Sequence, residues 1–367
     1  MPTLDDLRAA IEAEVASGLL PACQFAIGRD NEILAFEAFG TATTTDRLCI
    51  FSATKPMVSL TMALLLDEGL ASLGDTIGEH IAELPRGLPD GIAEITIEQL
   101  MLHTGGFPNA AMPGADGGDP VLRLAALRTW RREWEPGTRF EYHYESAHWV
   151  LAELIERLTG RDFRAVVHER ITAPLGLRRA LGLAPDDTAD ICDLVSVTPE
   201  TDEDPILRFN TAAVRASGNP AGGAFMTAAE LAILYQALLH DRAPGTAGAD
   251  PGSGAGSGPV WPAHVLADLT STIRCTLPDA MMGVPVNRTL GLVLAGDDGL
   301  HEMRYAIFGR GCSPGSFGHA GMHGQVAWAD PASGLSFVFL SNAVDADMMR
   351  SGMRSNALAT IAAALEL

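Results

Sequence analysis

The chain has 367 residues, 47% of them hydrophobic and only 19% charged, so it can bury a large core and is neither disordered nor fibrous. Lys and Arg number 25 against 46 Asp and Glu, and the resulting formal charge of −21 argues against nucleic acid or an anionic membrane as a partner. The longest apolar run, Met57 to Leu66, is too short to span a bilayer, and Met1 to Arg8 lacks the basic-then-apolar pattern of a signal peptide, which predicts a cytoplasmic protein. Five cysteines, Cys23, Cys49, Cys192, Cys275 and Cys312, form no C-x-x-C pair and read as free thiols.

Taken in order, Leu4 to Ser17 predicts an amphipathic helix, with Leu4, Leu7, Ile11 and Val15 on one face. Gln24 to Gly28 and Glu32 to Gly40 predict a β-hairpin turned by Arg29-Asp30-Asn31. A helix follows over residues 53 to 68, then a short one from Ile77 to Leu84, and a capped one from Thr96 that runs out at Gly105-Gly106. From Phe107 to about Gly218 the pattern is helical with little strand character, clearest in Ser146 to Thr159. Thr227 to Leu239 predicts another helix, and Ala243 to Pro259, nearly all Gly, Ala, Ser, Pro and Thr, a flexible surface insertion. Strands return at Leu290–Leu294, Gln325–Asp330 and Leu335–Asn342, before a closing helix over Ala346 to Leu365. Strands from both ends with helices between predict an α+β protein, in which residues 1–106 and 219–367 build one antiparallel sheet domain and 107–218 a helical subdomain.

Chemistry is concentrated in Phe51-Ser52-Ala53-Thr54-Lys55-Pro56. On a helix starting just after Ser52, Lys55 three positions on faces the same way, so a hydroxyl and an amine meet. Pro56 suits a first turn, where its missing N–H is an orphan anyway. The positive helix end and the apolar surround both disfavour a protonated lysine, which lets the amine accept the serine proton. A surface serine beside a solvated lysine is the plainer reading, and the near absence of other charge before Asp67-Glu68 weighs against it.

A tyrosine phenol is a suitable third member, and Pro136 to Ser146 supplies Tyr142 and Tyr144 just before a helix. Phe317-Gly318-His319-Ala320-Gly321-Met322-His323-Gly324 leads into a strand, where glycines let backbone approach an acyl group and an N–H point at an oxyanion. Those two histidines make a poor zinc pair, because the glycines oppose a helix. Gly311-Cys312-Ser313-Pro314-Gly315 fits G-x-S-x-G, but Pro314 has no N–H to give an oxyanion hole.

In their order and spacing, Phe51–Lys55, Leu102-His103-Thr104-Gly105-Gly106, Pro136-Gly137-Thr138 with the tyrosines, Gly222–Thr227 and Phe317–Gly321 through Asp330-Pro331 resemble the serine β-lactamase and penicillin-binding-protein superfamily. The likeness is nearest to class C β-lactamase-like (family VIII) esterases, D-alanyl-D-alanine carboxypeptidases and related acyltransferases. It implies a β-lactamase/transpeptidase-like fold, an acylated Ser52 and Lys55 as its base. The tyrosine of the Y-x-N motif is Tyr142 counting from Pro136 and Tyr144 counting back from the helix; Tyr142 is preferred, with Ser146 standing in for the unmatched Asn. His319-Ala320-Gly321 replaces K-T-G at the substrate, removing a fixed positive charge, and the N–H groups of Ser52 and Met322 form the oxyanion hole. The expected activity is hydrolysis of a small ester or amide without metal or cofactor. Acyl transfer to an amine or alcohol is the alternative, followed by peptidase or β-lactamase action and by a silent binding protein.

Overall fold

The computed structural model describes residues 1–241 and 259–366, so nearly all of the expected insertion at 243–259 lies outside the described residues. The first helix, α1 (Leu4–Ala16), is opened by a capping box in which the Thr3 hydroxyl and the Asp6 carboxylate satisfy each other's backbone N–H, and it buries Leu7 and Ile11. Strands β1 (Ala22–Arg29) and β2 (Glu32–Gly40) form the expected hairpin. Its turn places Asp30 and Asn31 at φ 53° and 64°, the two positive values that let a two-residue turn follow the strand twist.

The helix expected over 53–68 is split into a 3-10 turn, Phe51–Thr54, and an α-helix, α2 (Lys55–Asp67), with Pro56 in the first turn where its lack of an N–H costs nothing. Helix α3 (Ser146–Thr159) matches its expected bounds, and α4 (Ala228–His240) opens on a Thr227–Glu230 capping box. The strand expected over Leu290–Leu294 is reduced to β3 (Val293–Leu294), because the Thr289 hydroxyl accepts from the N–H groups of Gly291 and Leu292 and folds that segment into a turn. Strands β4 (Phe317–Gly318), β5 (Val326–Asp330) and β6 (Leu335–Ser341) follow, and α5 (Met348–Ala363) closes the fold.

One six-stranded sheet runs β2-β1-β6-β5-β4-β3, antiparallel at every pairing, so N- and C-terminal strands meet at β1–β6. Both faces are covered. Cys23, Phe25 and Ile27 of β1 share a core with Trp328, Phe337, Phe339 and residues of α1 and α5, while Ala26, Val338 and Leu340 pack with α2 and α4 on the other side. That is why β1, β5 and β6 read as nearly continuous buried runs. The helical stretch 107–218 is not free of strand, since Val195–Ser196 pairs in parallel with Ala343–Val344. Among the described residues no helix is long and apolar enough to cross a membrane.

Gln236 on α4 fastens the hairpin ends. Its side-chain oxygen accepts from the Asn31 N–H at 2.8 Å, and its nitrogen donates to the Gly334 carbonyl at 3.1 Å and the Ser336 hydroxyl at 3.0 Å. Gly28 makes room, because a Cβ there would lie 2.7 Å from Gln236 Cγ. Gln236→Leu removes three hydrogen bonds from a buried position and is expected to lower unfolding stability by about 2–4 kcal/mol in urea titration; a loss of less than about 0.5 kcal/mol would show that the two turns hold without it.

Candidate active site

A neighbouring loop holds the 3-10 turn that carries Ser52. Leu48–Cys49 pairs with Phe225–Met226, the Ile50 N–H donates to the Ala224 carbonyl at 3.0 Å, and the Ala224 N–H donates to the Thr54 hydroxyl at 3.1 Å. Between these ties Phe51 is forced to φ 45°, a value a bulky residue seldom adopts, and the strain sits next to the nucleophile candidate. Ser52 is half-buried and lines a cleft of about 280 Å³ with Tyr142, Tyr144, Arg288, Ala320, Gly321 and Met322.

Lys55 is the only lysine in the chain and is 0% exposed. Its Nζ lies 2.8 Å from the Tyr144 carbonyl, 2.8 Å from the Ala221 carbonyl and 3.1 Å from Ser52 Oγ. A neutral amine has two N–H donors and one lone pair. Both donors are taken by carbonyls, which leaves the lone pair to accept from the Ser52 hydroxyl. Burial holds Lys55 well below its usual ammonium range, the Arg288 charge pushes the same way, and Glu145 opposes them weakly.

The Tyr142 ring lies over Lys55 Nζ at 4.9 Å and stacks on His103 at 4.8 Å between centroids. Its hydroxyl is enclosed and makes no hydrogen bond to a described residue, although Ser52 lies near enough to favour ionisation slightly. Burial, helped by Tyr305, wins and pushes the phenol above its ordinary value, so Tyr142 is a neutral proton donor without a fixed acceptor. Tyr144 is 52% exposed, its hydroxyl 3.9 Å from Met281 Sδ, and it reaches the lysine through its main chain alone.

Behind Tyr142 lies a group of histidines that the sequence reading passed over. His103, at φ 58°, accepts the His143 N–H at 3.1 Å through Nδ1 and stacks against His148. His143 accepts the Phe107 N–H through Nε2, which puts its own proton on Nδ1 toward the Glu141 carbonyl. Burial drives all three toward the neutral form, His143 to about 4. The neutral rings make an apolar wall that keeps water from the back of the tyrosine.

Two expected substrate contacts are corrected. Ser146 does not line the cleft, because its hydroxyl donates to the Phe107 carbonyl at 2.9 Å and ties the start of α3 to the Gly105-Gly106 loop; the position two after Tyr142 is filled by Tyr144. His319 is 0% exposed and lies behind the wall formed by Ala320 and Gly321. Its Nδ1–H donates to the Ala320 carbonyl at 2.8 Å, which leaves Nε2 to accept from Arg288 Nη2 at 3.4 Å. Gly321 passes so close to the chain at Ile50 that a Cβ would lie 2.5 Å from its carbonyl. Ser52 stands in the first turn of the 3-10 helix Phe51–Thr54, where N–H groups have no partner within the helix, and Met322 opens the turn Met322–Gly324, which His323 interrupts at φ 58°. Ser313 of the G-x-S-x-G run donates instead to Asp330.

Arg288 is the residue sequence reading missed. It restores a fixed positive charge beside His319, where replacement of K-T-G was expected to leave none. An isolated charge in the apolar run Val284 to Leu294 was the available signal, of the same kind that marked Lys55.

A beta-lactamase family model matches residues 7–360. The chain belongs to this family. It is 25% identical over 381 residues to a putative D-alanyl-D-alanine carboxypeptidase of Escherichia coli O157:H7, covering 92% of this chain and 82% of that one. It is 27% identical over 317 residues to the esterase/beta-lactamase LipL of Mycobacterium tuberculosis, covering 80% and 68%. The structure of a family VIII carboxylesterase superposes with a TM-score of 0.77 at 21% identity over 98% of this chain and 97% of that one. The family is one of serine hydrolases with a β-lactamase/transpeptidase-like fold, in keeping with the antiparallel sheet and its helices.

Burying the lysine works against stability. Between the depressed pKa of the folded state and the usual lysine range the unfolded chain binds a proton at Lys55 that the folded chain does not, so folding releases it at a cost that grows as pH falls below the unfolded lysine's pKa and levels off below the folded one. Lys55→Met is therefore expected to raise the urea midpoint at neutral pH, with the difference from the unaltered protein shrinking as the pH approaches the usual lysine range; a lower midpoint for the variant would mean that the amine is held charged.

Proposed function

We propose that the protein hydrolyses small carboxylic esters through an acyl-Ser52 intermediate, with Lys55 as base and Tyr142 as proton donor. The observation that carries this reading is the arrangement at Lys55 Nζ, where two carbonyls occupy the N–H groups and the remaining site faces Ser52 Oγ at 3.1 Å.

Lys55 takes the Ser52 proton as Oγ attacks the ester carbonyl, and the oxyanion is received by the N–H groups of Ser52 and Met322. The leaving alkoxide takes the proton of the Tyr142 hydroxyl, which recovers one from the Lys55 ammonium, so the proton that left the serine departs with the alcohol. A water then gives its proton to the same pair, attacks the acyl carbon and returns Ser52 to its resting form. A cleft of about 280 Å³ suits a short acyl or alcohol portion.

On short-chain p-nitrophenyl esters, Ser52→Ala is expected to abolish turnover, Tyr142→Phe to lower kcat by about 10² to 10⁴, and Tyr144→Phe to leave it within about threefold. A Ser52→Ala protein with full activity would sink the proposal; loss in Tyr144→Phe with activity kept in Tyr142→Phe would exchange the tyrosines' roles.

A further inference from the structure

Six arginines of the described residues are buried, and five have a carboxylate within 4 Å. Arg47 meets Asp187 and Asp190, Arg123 meets Glu153 and Glu156, Arg215 meets Asp193, Arg304 meets Asp298, and Arg354 approaches Glu14. Arg288 is the exception. It is 3% exposed, lines the cleft that contains Ser52, and has no acidic partner among the described residues.

What surrounds it does not replace a counter-ion. The guanidinium carbon lies 5.9 Å from the Phe140 ring centroid and 5.6 Å from that of Tyr142; Nη2 reaches only the neutral His319 ring, at 3.4 Å, and Nε is enclosed without a partner. In a chain with 46 acidic residues against 25 basic ones, carboxylates are plentiful, yet among the described residues none lies within 4 Å of this arginine, and Asp279, which lines the same cleft, accepts from the N–H groups of Met281 and Met282 instead. A buried guanidinium without an anion is costly, and its planar fork matches a carboxylate in two parallel hydrogen bonds.

We infer that Arg288 binds a carboxylate of the substrate, so that the esters cleaved at Ser52 are those of small acids carrying a second, ionised carboxyl group. The inference rests on the esterase reading and narrows it. The carboxylate belongs either to the acyl part, as in a monoester of a dicarboxylic acid, or to the alcohol part, as in an acylated hydroxy acid. Either way the negative ligand completes the ion pair that the fold leaves open, and the aromatic walls keep water from competing for it.

The test is a ratio. Monomethyl succinate, glutarate and adipate are each compared with the methyl ester in which an isopropyl group replaces the free carboxylate; 3-acetoxypropanoate is compared with isopentyl acetate. The first set reads a carboxylate on the acyl side and the second one on the alcohol side. Since Arg288 also influences Lys55, kcat/KM for the neutral ester serves as each variant's own reference and any change in the base cancels. The ratio of anionic to neutral kcat/KM is expected to fall by roughly ten- to a hundredfold in Arg288→Met for one of the two sets, and to recover in part in Arg288→Lys. A ratio unchanged in both sets overturns the inference. If Arg288→Met does not fold, Arg288→Lys, which keeps the charge and loses the fork, carries the comparison. Calorimetric titration of Ser52→Ala protein with the same anionic esters separates this inference from the esterase reading. Binding that is lost on adding Arg288→Met supports the carboxylate site even if no ester is turned over, whereas no binding of any of them contradicts it and leaves hydrolysis of neutral esters standing.

Discussion

The site depends on an amine kept out of water. A lysine ammonium brought into the interior without an anion loses hydration that two carbonyls cannot replace, and the cheaper state is the neutral one. Once neutral, Lys55 has two hydrogens and one lone pair, and the Tyr144 and Ala221 carbonyls fix where each points. Arg288 presses in the same direction by charge repulsion. In the proposed mechanism the basicity of Lys55 toward Ser52 therefore comes from burial and two main-chain contacts rather than from an acidic partner.

The rest of the fold supplies those contacts from distant parts of the chain. Ala221 belongs to the loop that pairs with Leu48–Cys49, Tyr144 to the segment entering α3, and the wall at Ala320-Gly321 to the turn between β4 and β5. The sheet that joins β1 to β6 gives these pieces a common frame, and Gln236 fastens both hairpin turns to α4. Strain at Phe51 is tolerated because Ile50 and Thr54 on either side are tied to Ala224.

Much of this was legible in the sequence because it is local. Capping residues at Thr96 and Thr227, the Asp30-Asn31 turn and the three-residue spacing of Ser52 and Lys55 act over a few residues and hold whatever the tertiary structure does. What was not legible depends on who meets whom across the chain. Ser146 carries a suitable hydroxyl, but its partner turned out to be the Phe107 carbonyl, 39 positions away. Tyr142 and Tyr144 look alike in sequence; only the enclosure of the Tyr142 hydroxyl and the exposure of Tyr144 separate them. Arg288 was overlooked because it sits in no motif, and it stands out only once its surroundings are known, with no carboxylate within 4 Å among the described residues, a property of space rather than of spacing. Leu290 fails as a strand residue because of the Thr289 hydroxyl, a local competitor that apolar periodicity does not register.

That Lys55 is the only lysine permits a direct measurement of the central claim. With lysine-specific ¹³C labelling in protein carrying no added lysine, the side chain gives a single Cε resonance whose shift with pH reports its ionisation. The account predicts a titration well below the usual lysine range, moving upward in Arg288→Met, with Ser52 labelled by a fluorophosphonate only above the pH at which the amine loses its proton. A Cε resonance that titrates at the ordinary lysine value would mean that Lys55 is charged when the protein works, and the assignment of the base would fall.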